Sequence, residues 1–155
     1  MRPAIFFSTT FKLCDNNGYL STQIYNFFKV NGHVLTETPD EADIIVVSTC
    51  GFDQARENAS KAIVDRYIQK FSGRKRIIIC GCLPKINSGL FDLKAVTLIG
   101  PKELSKFNDI FHPLIAIEKV SGSQLNEQFI ESHYGFIDSY YLQVCQGCVN
   151  NCSYC

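Results

Sequence analysis

Two aliphatic runs constrain the fold of this chain more than any other feature: "DIIVVSTC" (Asp43–Cys50) and "RIIICGC" (Arg76–Cys82). Neither alternates apolar with polar residues, so each predicts a strand covered on both faces, as in a parallel sheet. Between them, "DQARENASKAIVDRYIQKFSG" (Asp53–Gly73) predicts a helix. Ala55, Ala59, Ala62, Ile63 and Tyr67 recur at helical spacing, with Asp53 as N-cap and Gly73 as stop. Parallel neighbours joined through a helix form a crossover unit, and that unit sets the class of the whole domain.

The same pattern extends in both directions. "AIFFST" (Ala4–Thr9) predicts a strand, Gly18–Gly32 a helix, and "HVLTE" (His33–Glu37) a short, polar, edge-like strand. "AVTLIG" (Ala95–Gly100) predicts a further strand, and Pro101–Phe111 a helix with proline in its first turn. The expectation is an α/β fold with a doubly wound, mostly parallel sheet over residues 1–111. Residues 112–135, polar and carrying "SGSQ", read as a linker. Strand character returns near Ser139–Val144, the expected first strand of a second domain that the chain enters and does not complete.

A chain of 155 residues, 46% hydrophobic and 19% charged, can build a core of ordinary size. Its zero net charge argues against a strong nonspecific grip on nucleic acid, which depends on lysine and arginine meeting phosphates. "GRKR" (Gly73–Arg76) reads as a solvated turn. The opening "MRPAIFFSTTFKLC" is too short and too polar at its flanks for a signal peptide. No stretch approaches the roughly 18–20 apolar residues of a membrane span, so a cytoplasmic protein without a membrane partner is expected.

In a reducing compartment eight cysteines point to metal or catalysis rather than to disulfides. Cys14, Cys50 and Cys82 each follow a predicted strand. In an open parallel sheet the carboxyl ends of the strands share one edge, where ligands bind. Three convergent thiolates can hold an iron–sulfur cubane by three of its irons. Gly51 and Gly81 lie beside two of these cysteines, where a bare backbone admits a bulky ligand. The competing reading is that all three are small buried hydrophobes, as Cys80 within its strand is expected to be. Cys80 shares a strand face with Cys82 and so remains a substitute ligand. Asp15, Asn16 and Asn17, beside Cys14, either face a substrate or form a turn. His33, His112 and His133 are scattered and read as ordinary surface or core residues.

The other half of the cysteines crowd into "VCQGCVNNCSYC" at the end of the chain. All four, Cys145, Cys148, Cys152 and Cys155, suit a four-thiolate zinc or iron–sulfur site. The last three alone give C-x-x-x-C-x-x-C, which leaves one iron of a cluster free to bind S-adenosyl-L-methionine. Tyr154 would then lie near the adenine or cover the cluster.

"CVNNCSYC" resembles the cysteine signature of radical S-adenosylmethionine enzymes. The upstream "CDNN", "STC" and "GC" resemble the amino-terminal domain of the methylthiotransferases of that superfamily. The resemblance covers nearly the whole chain, and its specificity lies in the conjunction of these motifs. It implies a methylthiotransferase-type domain followed by the first strand and cluster loop of a truncated radical S-adenosylmethionine barrel. It further implies an auxiliary [4Fe-4S] cluster on Cys14, Cys50 and Cys82, and a radical-generating [4Fe-4S] cluster on Cys148, Cys152 and Cys155. The implied reaction inserts a methylthio group at an unactivated C–H bond of a transfer RNA adenosine or a ribosomal-protein aspartate. A reducing donor such as flavodoxin or ferredoxin would supply electrons. Asn17 and Ser21 fit the family's first motif, whereas Leu13 and Leu20 stand where it has glycine and aspartate, and Lys85 where a glutamine is usual. Two other readings follow from the residues: a radical enzyme with a different product, and a non-enzymatic zinc module.

Overall fold

The computed structural model describes residues 2–11, 14–124, 126, 128–129, 142 and 144. Four strands, β1 (Ile5–Thr9), β2 (Ile44–Thr49), β3 (Arg76–Gly81) and β4 (Thr97–Ile99), form one parallel sheet in the order β1-β2-β3-β4. Helices α1 (Asp15–Val30), α2 (Gln54–Phe71), α3 (Leu83–Ile86) and α4 (Lys106–Phe111) complete the α/β fold. The register sets Thr9 beside Ser48, Ser48 beside Cys80 and Thr49 beside Gly81, so the three longer strands end level.

The expected strand over His33–Glu37 is reduced to a single parallel bridge, Leu35 to Ile5. The Ile5 amide donates to the Val34 carbonyl and the Ile5 carbonyl accepts from Thr36, whereas Ala4 turns its carbonyl to Asp43 and Ile44 on the β2 side. The stub therefore lies outside β1, away from β2. The run is polar and short, and one bridge is all it contributes. Its position nevertheless determines the topology. The chain leaves β1 outward to Leu35 and returns past it to begin β2. Right-handed connections in opposite directions put their helices on opposite faces of the sheet.

The packing follows this division. Ile5, Phe7, Val46, Ile78, Cys80 and Ile99 meet Ile24, Phe27 and Phe28 of α1 and Phe107 of α4 on one face. Ile45, Val47, Ile77 and Ile79 meet Val64 and Phe71 of α2, with Leu83, Phe91 and Val96, on the other. Alternate residues of one aliphatic run thus feed two cores, which is why neither run alternates in sequence.

Several local expectations shift. Helix α1 begins at Asp15, with Cys14 as its N-cap residue, rather than at Gly18. The buried face of α2 is Ser60, Val64 and Phe71, with Tyr67 and Ile68 packed beside it. Ala55 and Ala62 are exposed. Alanine is a good helix former at any position and so marks the helix without marking its inner face. Asp53 does cap α2, accepting from the Arg56 amide at 2.7 Å. The turn before β3 is not simply solvated: Lys75 Nζ donates to the carbonyls of Pro39, Asp40 and Ala42 at 2.6–2.8 Å. Residues 101–105 form turns, and α4 keeps only the last six residues of the expected helix.

The segment expected as a linker is laid along α1 over its described part. Ile117 and Val120 enter the α1-side core, and Phe129 packs edge-on against Phe7 and Tyr25. Gln23 donates to the Ile117 and Val120 carbonyls, and Asn31 both donates to the Ile115 carbonyl and accepts from its amide. Apart from Leu142 and Val144, the strand expected near Ser139–Val144 lies outside the described residues, as does the whole cysteine-rich end.

Candidate functional site

The carboxyl ends of β1, β2 and β3 form one edge of the sheet, and each is followed by a cysteine: Cys14, Cys50 and Cys82. The chain reverses its direction of winding between β1 and β2, so this edge contains the topological switch point where open α/β sheets bind ligands. Cys14 is exposed, Cys82 half-buried, and Cys50 only 5% exposed. Burial is the largest cause raising the Cys82 pKa. Negative charge on Cys14 and Cys50 pushes it up further, and Lys85 opposes them. Cys14 and Cys50 therefore both lie within electrostatic reach of Cys82. Among the described residues no three His, Cys, Asp or Glu side chains close on a point that would hold a metal ion.

Cys80 stays in the α1-side core, fully buried, with its Sγ directed to the Val47 carbonyl at 3.6 Å. Burial pushes its thiol up to about 12, against a hydrogen bond with Ser48 that pulls the other way. His33 packs edge-on against Phe28 and Phe111, with Nδ1 3.0 Å from the Pro3 carbonyl. Cys145, Cys148, Cys152, Tyr154 and Cys155 lie outside the described residues.

The glycines beside the cysteines have close neighbours within the fold. Gly81 has φ of +94°, and a Cβ there would collide with the Thr49 carbonyl oxygen of β2. A Cβ on Gly51 would come within 3.0–3.1 Å of the Ile86 and Leu83 side chains. Phe52, the next residue, is 80% exposed, with the Arg56 guanidinium 5.4 Å from its ring centre.

Beneath the thiols the three strand ends are tied by hydrogen bonds that converge on residues 49 and 50. The Thr49 carbonyl accepts from the Cys82 amide at 3.2 Å and from Asn17 Nδ2 at 3.1 Å. Thr49 Oγ1 donates to the Cys80 carbonyl at 2.8 Å, and Ser21 donates to Ser48 at 2.8 Å. Asn17 is 1% exposed, and its Oδ1 has no hydrogen-bond partner among the described residues. From the other face Ser60 holds Cys50. Its Oγ donates to the Cys50 carbonyl at 3.0 Å, accepts from the Cys50 amide at 3.3 Å and lies 3.0 Å from Thr10 Oγ1. Sequence reasoning missed Ser60, Thr10 and Thr49. The available signal was a serine in register with Val64 and Phe71, a polar residue at one end of an otherwise apolar helical face.

Residues 7–98, more than half of the chain, match the family described as "Uncharacterized protein family UPF0004". The chain belongs to this family. Its relatives are methylthiotransferases, and the chain is a member of that group. It is 30% identical over 153 residues to the ribosomal protein uS12 methylthiotransferase RimO of Clostridium perfringens, covering 92% of this chain and 34% of that protein. It is 24% identical over 132 residues to a probable threonylcarbamoyladenosine tRNA methylthiotransferase of Pyrococcus horikoshii, covering 81% of this chain and 30% of that one. The chain thus spans about a third of the length of these relatives. No solved structure matches it. Among the described residues no helix is long and apolar enough to cross a membrane.

Proposed function

We propose that the chain is the amino-terminal part of a radical S-adenosylmethionine methylthiotransferase. In this reading Cys14, Cys50 and Cys82 hold an auxiliary [4Fe-4S] cluster. Cys148, Cys152 and Cys155 hold a second cluster, which binds S-adenosyl-L-methionine with Tyr154 nearby. The observation that carries the reading is the placement of three cysteines after three neighbouring strand ends, beside the switch point. Burial, then the charges of Cys14 and Cys50, disfavours ionisation of Cys82, and bound metal would reverse that by favouring the thiolate. A cubane takes one thiolate per iron, so its ligands need not close on one point as a single ion's do. Cys14 sits at the N-cap of a sixteen-residue helix, at the end of the chain's path out of β1.

When bound, the clusters would supply the transferable sulfur and the electron that activates S-adenosyl-L-methionine. This chain's own contribution is to hold the thiols. The helix N-cap presents Cys14, the Thr49 carbonyl ties the Cys82 turn to the end of β2, and Asn17 ties the first turn of α1 to the same carbonyl. The proposed substrate is a transfer RNA adenosine or an aspartate of a ribosomal protein; the relatives' names give a tRNA threonylcarbamoyladenosine and ribosomal protein uS12. Electrons would come from a flavodoxin or ferredoxin, and the proposed location is the cytoplasm.

The test is anaerobic reconstitution of the full-length protein with iron and sulfide, followed by metal analysis and electron paramagnetic resonance. Two clusters are expected. One should remain after Cys14, Cys50 and Cys82 are changed together to alanine, and the other after Cys148, Cys152 and Cys155 are. Stoichiometric zinc without iron would overturn the proposal, and a single cluster insensitive to the upstream variant would remove the auxiliary site.

A further inference from the structure

We infer that Ser60, with Thr10, is a positioning residue that fixes the backbone of Cys50. Ser60 lies on α2, is fully buried, and makes both of its Cys50 bonds to the backbone, one to the carbonyl and one to the amide. A serine hydroxyl has one proton and two lone pairs. The proton is committed to the Cys50 carbonyl at 3.0 Å, and one lone pair receives the Cys50 amide. At 3.0 Å from Ser60 Oγ, the Thr10 hydroxyl must then be the donor, and it fills the second lone pair. Every hydrogen-bonding valence of Ser60 is used, and none reaches solvent.

The arrangement joins three separate pieces of chain. Thr10 is the residue after β1, on the path to Cys14; Cys50 follows β2; and Ser60 is rooted in the second turn of α2. Asn17 holds the adjoining Thr49 carbonyl from the opposite face, so residues 49 and 50 are gripped from both sides of the sheet. The Cys50 peptide groups are buried here. Without the hydroxyl they would lose their partner and gain no water, which favours local opening of the turn. What Cys50 is positioned for rests on the cluster assignment above; the latch itself does not.

The experiment uses full-length protein, metal-free and reconstituted, as unaltered chain, Ser60→Ala and Thr10→Val. In the metal-free protein, iodoacetamide labelling of each cysteine is followed by mass spectrometry, with fully buried Cys80 as the internal reference for global unfolding. Loss of two bonds to Cys50 is expected to speed its labelling about tenfold in Ser60→Ala while Cys80 is unchanged. Thr10→Val should give a smaller increase, also confined to Cys50. In the reconstituted protein, Ser60→Ala should broaden the resonance or shift the potential of the cluster lost in the upstream cysteine variant. Unchanged Cys50 labelling would overturn the inference. Equal acceleration at Cys50 and Cys80 would also overturn it, since Ser60 would then serve the fold as a whole. Labelling needs no iron. An unaltered protein that binds no cluster would remove the cluster assignment, while the Cys50-to-Cys80 contrast still decides the latch.

Discussion

At the residue scale, position in the fold changes what a side chain type does. Lys75 belongs to a basic run that reads as solvated surface, yet its ammonium closes the loop leading into β2 by donating to three carbonyls. It also lies 5.2 Å from the centre of the Phe71 ring. Lys75→Met keeps the stem and removes the donors, and should cost about 1–3 kcal/mol, measured by urea unfolding. Glu103 works at the exposed end of β4, accepting from the Gly100 amide and from Lys106. The Lys106 bond, then the Gly100 amide, lowers its pKa from 4.5. A depressed carboxyl pKa gives stability that is present above the unfolded value and lost as pH falls through the folded one. A melting series from pH 6 downward should therefore show a loss starting near the ordinary carboxylate range, and Glu103→Gln should flatten that part of the profile.

At the element scale, the described residues from 112 to 129 pack on the sheet domain through α1. Gly122 shows how closely this segment lies on α1, since a Cβ there would collide with the Tyr19 carbonyl oxygen. Gly122→Ala should lift the segment and cost about 1–3 kcal/mol, as overpacking does. Amide exchange at Asn126, whose N–H bonds to Thr22 Oγ1, should accelerate with it. The segment's sequence hid this role because, among the described residues, its core contacts come from the irregularly spaced Ile117, Val120 and Phe129, and from backbone groups paired with Gln23, Asn26 and Asn31. Periodicity has no purchase on a segment held largely through its main chain.

At the scale of the whole molecule, two cores on opposite faces share the same strands, so neither face can unfold without exposing the other's support. A chain of residues 1–130, which retains Phe129, should melt in one cooperative transition, with fluorescence and circular dichroism superimposing. A chain ended at residue 111 lacks the segment covering α1, and should melt lower or lose coincidence between the two probes.

By itself the sequence determined the α/β class, the parallel sheet, the approximate elements and the candidate cysteines. Those features are written in local patterns: unbroken aliphatic runs, helical periodicity, and cysteines placed just past strands. The sequence also carried the resemblance to methylthiotransferases that the family match supports. Only the tertiary structure decided where Leu35 sits, and hence that winding reverses between β1 and β2. Only it decided which face of α2 is inner, that Gly81 answers to the Thr49 carbonyl, and that Ser60 meets Cys50. Each of these depends on how separate elements dock against one another, and a contact between two elements leaves no period in the sequence to read.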